Sequence, residues 1–294
     1  MQKLRIGLEW FFNPDHLPFI VARQNGYFER AGLEIDLVEP SDHYEAIARI
    51  ENDELDAAIT EPIHLIQDKS SGHNVVGFTR FLHTDGGVMY LKNRGIGTPK
   101  DMNGKRLQYP GAPAPLGFAI AQTMMRHDGA PDSATILPVD NSFYHTNALA
   151  EDKADMATLV FYNFEVLEAR SRNLEADFFS LKDWGVPDFC QLHLFTTQSK
   201  WDKYKNLWPL LNAALRASIS FIKQNPEQAK TIWANHNQNL EGLNLEIFEA
   251  TSSCFVYDFG LSDKYLSRLA KWCYDYKLIE QIPELSNLFI EFEA

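Results

Sequence analysis

"LRIGLEWFFNPDHLPFIVARQNGYFERAGLEIDLV", residues 4–38, reads as strand, helix, strand. Leu4 to Leu8 is an apolar run of strand length. Phe19, Ile20, Ala22 and Phe28 then recur near helical spacing over about Pro18 to Arg30. Ala31-Gly32 supplies a stop, because glycine accepts the left-handed conformation that closes a helix. Leu33 to Val38 alternates apolar and polar, as a half-buried strand does. A further helix from about Tyr44 to Asn52 and a strand from Leu55 to Ile59 continue the alternation. Strand and helix in units this short predict an α/β chain whose sheet is mostly parallel and carries helices on its faces. At the junction after the first strand stand Trp10, Phe11 and Phe12, ahead of the Asn13-Pro14 break. Aromatics there either plug a core or line a pocket, and strand alternation puts Phe11 in the core.

Outward from this unit, "IENDELDAAIT" at 50–60 lies on "LAEDKADMATL" at 149–159 with a constant offset, matching Asp53 with Asp152, Asp56 with Asp155 and Ala58 with Ala157. Each reads as a helix end, a charged turn and a small-residue strand, which hints at two lobes of similar design. A Gly/Pro-rich break within 88–111 starts a fresh α/β unit at Arg106 to Tyr109, and "CQLHLFTT" at 190–197 returns the chain. Helical patterns follow over Leu207–Asn225, Pro226–His236, Leu245–Cys254 and Ser262–Tyr276. The expected plan is an outer lobe of residues 1–93 and 195–294 and an inner lobe of 94–194, joined by two crossings. In such a plan the ligand sits in the cleft, where loops at the carboxyl ends of both sheets meet.

The bulk composition removes several function classes. The 294 residues carry 27 basic and 40 acidic side chains, a net charge of −13, with no cluster of Lys and Arg to track phosphates. Nucleic acid is therefore not an expected partner. Cys190, Cys254 and Cys273 are far apart, with no C-x-x-C spacing, so neither a disulfide framework nor a thiolate zinc site is suggested. Nine histidines show no H-x-x-x-H pair, and no metal is expected. No apolar run is long enough to embed the chain in a membrane. Strand-like residues begin by Leu4, leaving no room for a secretory leader, so the chain as written reads as cytoplasmic, and as periplasmic or extracellular where a leader has been removed.

The opening, through Trp10, Asn13, Pro14, His16, Gly26, Tyr27, Phe28, Gly32 and Leu33, resembles that of the solute-binding proteins and synthases that handle the pyrimidine half of thiamine. Weaker similarity runs through "LDAAITEPIHL", "GVMYLK" and "GVPDF" to about Lys200. The resemblance implies a two-lobed periplasmic-binding-protein fold of the second type, with the ligand cleft between the lobes. It also implies one of two activities. Transport-linked members bind a formylated aminopyrimidine and deliver it to an ABC transporter. Fungal-type synthases build the pyrimidine phosphate from pyridoxal phosphate, held by a lysine, and from one of their own histidines, with iron and oxygen. On this sequence the histidine of the synthase's Lys-x-x-x-His element falls on His64, and its lysine falls on Thr60. Threonine has no amine for a Schiff base. The synthase's cysteine-rich run falls on "VPDFC", which keeps only Phe189 and Cys190. No cofactor is therefore expected, and "GVPDF" with Asp188, like "YNFE" with Tyr162, Asn163 and Glu165, looks more like the binding proteins.

Each candidate residue has a physical role and a plain alternative. Trp10 offers an indole face for stacking a flat, electron-poor ring, worth on the order of 0.5–1.5 kcal/mol beyond burial, or it caps the sheet. Phe12 is a second wall, beside Asn13 and His16. Glu165 can accept from an exocyclic amine and a protonated ring nitrogen together, or serve as a solvated first-turn acid. Glu61 follows the third strand and either bonds the ligand or caps the helix that Pro62 opens. His64, one turn in, contacts the ligand or packs. In "PGAPAPLGF", the backbone around Gly111, Pro115 and Gly117 presents helix-start N–H groups to an oxyanion, or is a turn. His83-Thr84-Asp85-Gly86-Gly87 signals a tight turn before the first crossing. The leading expectation is a binding protein for a small heteroaromatic ligand, with a cytosolic pyrimidine-synthase-like enzyme using His64 as the rival. A third option is the same fold with a sulfonate or nitrate ligand, which gains little from a Trp and a carboxylate.

Overall fold

The alternation of strand and helix runs through most of the chain. A computed structural model describes residues 1–40, 46–237 and 239–292. Residues 1–83 run β1 (Gln2–Gly7), α1 (Leu17–Gln24), α2 (Tyr27–Arg30), β2 (Leu33–Val38), α3 (Ala46–Glu51), β3 (Ala57–Thr60), α4 (Pro62–Ser70) and β4 (Val75–His83). Residues 84–190 run β5 (Gly86–Leu91), β6 (Arg106–Gln108), α5 (Pro115–His127), β7 (Leu137–Val139), α6 (His145–Ala150), β8 (Met156–Phe161), α7 (Leu167–Ser171) and β9 (Ala176–Ser180). The remainder runs β10 (Gln191–Thr197), α8 (Gln198–Lys203), α9 (Trp208–Gln224), α10 (Pro226–His236), α11 (Leu243–Ser252), α12 (Asp263–Asp275) and β11 (Phe289–Ile290). The expected helix from Tyr44 begins outside the described residues.

The chain divides into two units: Met1–His83 with Gln191–Ala270 and Gln281–Ala294, and Thr84–Cys190 with Lys271–Glu280. The first crossing thus falls at His83/Thr84 instead of near 93, and the second at Cys190/Gln191 instead of near 194. The reason is strand pairing: Gly86–Leu91 pairs with β8 and β9, whereas Gln191–Thr197 pairs with β3 and β4. Lys271–Glu280 was not expected in the second unit.

The first unit is built on a six-stranded sheet of order β11-β4-β10-β3-β1-β2. β1 pairs in parallel with β2 and β3, and β10 returns antiparallel between β3 and β4. The helix expected over 18–30 is broken in two, because Asn25 closes α1 and Gly26 takes φ +68, a conformation costly for a residue with a Cβ. On α9, Trp208, Leu211, Leu215, Ile219 and Ile222 form one buried stripe at helical spacing. Burying a side chain of this size contributes about 1.5–3 kcal/mol. α1 packs against α9, and Ser218 Oγ donates to the Pro18 carbonyl at 2.6 Å.

The second unit is a five-stranded sheet of order β7-β6-β8-β5-β9. β6 is parallel to β7 and β8, and β5 is antiparallel to β8 and β9. Gly86 and Gly87, expected in a tight turn, instead open β5. A Cβ on Gly87 would enter the Phe179 carbonyl and one on Gly86 would enter Cys190 Sγ, so these glycines permit close approach inside the sheet. In this unit the loops after β6, β7 and β8 leave one end of the sheet, and Asp85 precedes β5 at that same end.

Candidate functional site

In the first unit the segment after β1 is held by its own side chains. Asn13 is extended and starts the turn Pro14–His16, its Oδ1 accepting from Asp15 N–H at 2.8 Å and its Nδ2 donating to the Phe11 carbonyl at 2.9 Å. His16 is fully buried, with Nε2 at 3.2 Å from Glu9 Oε2 and Nδ1 at 3.1 Å from the backbone of Asn13. Burial disfavours its charge, but the Glu9 carboxylate, together with Asp15 and the Asn13 backbone, outweighs this and holds the imidazole above its ordinary range. Both ring nitrogens are therefore engaged within the loop, and His16 acts as the loop's clasp. Phe12 stacks on His16 (centroids 5.6 Å, 22°) and on Trp233 (5.3 Å, 18°), which makes it a packing residue of this unit. Phe11, expected in the core, is 63% exposed. The chain leaves the strand at Gly7, so two-residue alternation no longer decides which ring is buried. Half-buried Trp10 lies beside it, with ring centroids 6.1 Å apart and planes tilted by 45°.

At the carboxyl end of β3, Thr60 is 8% exposed. Glu61 is the extended residue before α4, and its side chain makes no cap bond to that helix. It faces His64 instead, Oε2 to Nε2 at 3.7 Å, and His64 Nδ1 meets Gln67 at 3.2 Å.

In the second unit, Glu165 lies in a single π-helical turn, Tyr162–Val166, directly after β8, the kind of local distortion that recurs at functional sites. Its Oε2 accepts from Phe161 N–H at 2.8 Å, and burial raises the carboxyl to about 7. The turn is tied down by Thr84 Oγ1, which donates to Asn163 at 2.5 Å, and by Tyr162 N–H to the Asp85 carbonyl at 2.9 Å. The Tyr162 hydroxyl accepts from Arg170, whose guanidinium lies 5.3 Å over the ring. Gly111 takes φ +71 in the turn before α5, and Pro115 opens that helix, which has no side-chain cap. Gly117 is a packing glycine, since a Cβ there would meet the Tyr109 ring at 2.5 Å. Half-buried Asp188 lends its charge to Lys182.

The sequence pattern of the family described as NMT1/THI5 like matches residues 13–229. The chain belongs to that family. Among NMT1/THI5-like relatives, the formylaminopyrimidine-binding protein of Halalkalibacterium halodurans is 23% identical over 233 residues, covering 79% of this chain and 70% of that protein. The 4-amino-5-hydroxymethyl-2-methylpyrimidine phosphate synthase of Legionella pneumophila is 23% identical over 292 residues, covering 98% of this chain and 90% of the synthase. The periplasmic aliphatic sulphonate binding protein of Escherichia coli matches with a TM-score of 0.76 at 12% identity, over 100% of this chain and 94% of its own. The fold is that of the periplasmic binding proteins.

Within this NMT1/THI5-like chain, the position given by resemblance to the synthase lysine is the hydroxyl side chain of Thr60. An aldehyde cofactor finds no amine there, and no step of that chemistry is placed on this site. Sequence reading missed Asp85 as a hub: it accepts from Ser180 Oγ and pairs with Lys182 at 3.2 Å, while its carbonyl holds Tyr162. It also missed Gln108, whose Nε2 donates to the Ser142 carbonyl at 2.7 Å and whose Oε1 meets His145 Nδ1. Partners this distant in sequence leave no periodic signal. No helix among the described residues is long and apolar enough to cross a membrane.

Proposed function

We propose that this chain binds a thiamine-pyrimidine precursor, an aminopyrimidine, with Glu165 reading the ring, and that it hands the ligand to an import transporter unaltered. The observation that carries the reading is the Glu165 carboxyl, buried at the end of β8 and held at about 7. An aminopyrimidine sets an acceptor ring nitrogen beside a donor amine. A carboxylic acid facing the neutral ring, or a carboxylate facing the protonated ring, matches it with two hydrogen bonds. A group that titrates near neutral pH can take either form. Bonds from the Phe161 and Glu165 N–H groups leave capacity, because a carboxyl offers about four acceptor positions. The name of the Halalkalibacterium relative supports the same ligand class.

Isothermal titration with formylaminopyrimidine and 4-amino-5-hydroxymethyl-2-methylpyrimidine, set beside pyridoxal phosphate and taurine, tests this reading. Binding of a pyrimidine alone, weakened by Glu165→Ala, is the expected result. Binding of pyridoxal phosphate or taurine in place of either pyrimidine contradicts it.

A further inference from the structure

A π-helical turn holds one residue more than an α-helical turn, and it persists only where its surroundings fix it. The turn Tyr162–Val166 that carries Glu165 is fixed at its first two residues by two others that follow one another in the chain. Tyr162 N–H donates to the Asp85 carbonyl at 2.9 Å, and Asn163 Oδ1 accepts from Thr84 Oγ1 at 2.5 Å. Both anchors are themselves held. Thr84 is buried, and its N–H donates to the Cys190 carbonyl at 3.0 Å. Asp85 accepts from Ser180 Oγ and pairs with Lys182 at 3.2 Å, and β5, which begins at the next residue, lies between β8 and β9. The start of the turn is therefore pinned to the sheet.

Releasing that pin changes where Glu165 points. Relaxing the turn to α-helix shifts the register by one residue, which rotates the side chains after it by about 100° around the axis. The carboxyl then leaves Phe161 N–H, from which its Oε2 accepts at 2.8 Å, and leaves the enclosure that keeps the residue 7% exposed. The charged groups about the turn have their own partners. Glu168 on α7, which acts on Glu165, is bonded by Thr146 Oγ1 at 2.7 Å and by Arg172 at 3.4 Å. Asp85 is paired with Lys182, and the Arg170 guanidinium lies over the Tyr162 ring. Burial is thus the property of Glu165 that the register controls.

We infer that Thr84 is a positioning residue of the ligand site: its hydroxyl, through Asn163, holds the π-helical turn in the register that presents the Glu165 carboxyl to the ring. The inference rests on the function proposed above and adds to it a residue that acts through another. Asn163 is 2% exposed, so its acceptor needs a donor from within the protein. Serine supplies the same hydroxyl, whereas valine matches the shape of threonine without a donor.

The experiment follows the Glu165 carboxyl by NMR of carboxyl-labelled glutamate, the signal being assigned by its loss in Glu165→Gln. Titration calorimetry with 4-amino-5-hydroxymethyl-2-methylpyrimidine and a thermal unfolding midpoint accompany it, on the parent chain and on Thr84→Val, Thr84→Ser and Asn163→Ala. Thr84→Val is expected to lower the titration of Glu165 by about one unit or more, because exposure removes the burial that raises it. The same variant is expected to weaken binding by about tenfold. Thr84→Ser is expected to recover most of both. Asn163→Ala removes the other end of the same bond and is expected to lower the titration as Thr84→Val does, which keeps the test decisive where the valine variant does not fold. If Thr84→Val lowers the midpoint but leaves the titration in place and the affinity within about twofold of the parent, Thr84 only packs and the inference is overturned. A folded Thr84→Ser that behaves like Thr84→Val also overturns it, since the hydroxyl is then not the link. A parent chain that binds no pyrimidine overturns the proposed function, and the Glu165 titration in Thr84→Val still decides whether Thr84 sets the turn.

Discussion

Asp155 grips Arg106 by three hydrogen bonds, its Oδ2 accepting from the backbone N–H at 2.9 Å and from Nε at 3.2 Å, while Oδ1 takes Nη2 at 2.7 Å. Asp56 does the same to Arg5, with the backbone N–H at 2.9 Å and the guanidinium at 3.1 and 3.2 Å. Each acid stands just before a strand and holds the adjacent parallel strand in register, β3 against β1 and β8 against β6. A second cation repeats the pattern: Lys200 meets Asp53 at 2.6 Å and Asp56 at 3.2 Å, and Arg94 meets Asp152 at 2.6 Å and Asp155 at 3.9 Å. Asp53 and Asp152 both take the left-handed conformation, φ 60 and 57. The echo in the sequence is therefore one structural device used once in each unit.

Removing the acid of the more buried copy leaves Lys200 with less compensation in an enclosed site. Asp56→Ala is expected to cost about 3 kcal/mol. Asp155→Ala should cost less, about 1–2 kcal/mol, because a third of the Arg106 side chain remains exposed and solvent screens it. Urea unfolding of both variants checks the order.

Phe12 stacked on His16 and Trp233 predicts that Phe12→Ala destabilises the chain by about 2–3 kcal/mol, whereas Phe11→Ala stays within about 0.5 kcal/mol. Equal losses in chemical denaturation would contradict the exposed placement of Phe11.

Glu165 gives stability a pH dependence. Burial raises its carboxyl from an ordinary value near 4.5 to about 7, so its folded form favours the proton. The contribution is fully present below the unfolded value and is lost as pH rises through about 7. Glu165→Gln, which keeps an acceptor for Phe161 N–H, should therefore be more stable than the parent at pH 8, by on the order of 2 kcal/mol, and equal to it at pH 4. Ligand affinity should fall above pH 7, where neither acid nor ring carries the shared proton. Titration calorimetry between pH 6 and 9 tests that slope.

Two buried histidines act in the opposite direction. Burial pushes His145 and His193 down to about 4, so each resists the proton that its unfolded form takes up near 6.5. Their stability is present above about 6.5 and is lost as pH falls toward 4. His145→Gln or His193→Gln should flatten the acid side of the stability profile between pH 6.5 and 4, read from unfolding midpoints across that range.

Gly117 sets the start of α5 against Tyr109, and a Cβ would lie 2.5 Å from its ring. Gly117→Ala should cost roughly 1–3 kcal/mol through overpacking despite alanine's better helix propensity. A stabilised variant in thermal unfolding would contradict this close approach.

Much of the architecture was legible because it is local. Strand and helix periods from Leu4 to Ile59, the Gly32 stop and the four long C-terminal helices need only neighbouring residues, and the Asp56/Asp155 echo survived because the device depends on short spacing. Of the candidate residues, Glu165 could be found from its place just after an apolar strand, although its burial and its bond to Phe161 could not. Phe11 and Phe12 were read the wrong way round, since alternation assumes a strand and the chain had already turned out of it at Leu8.

By itself, then, the sequence determined the α/β class, the two related strand junctions, and the presence of a Trp and an acid beyond two strand ends. Each of these follows from patterns within about a dozen residues. Only tertiary structure decided which of Phe11 and Phe12 is buried, that His16 is consumed by Glu9 and Asn13, and that Gly86 and Gly87 lie inside a sheet. It also placed the unit boundary at His83, and it joined Asp85 to Ser180 and Lys182. Those outcomes depend on packing and hydrogen bonding between segments far apart in the chain, whose relative placement no local pattern encodes.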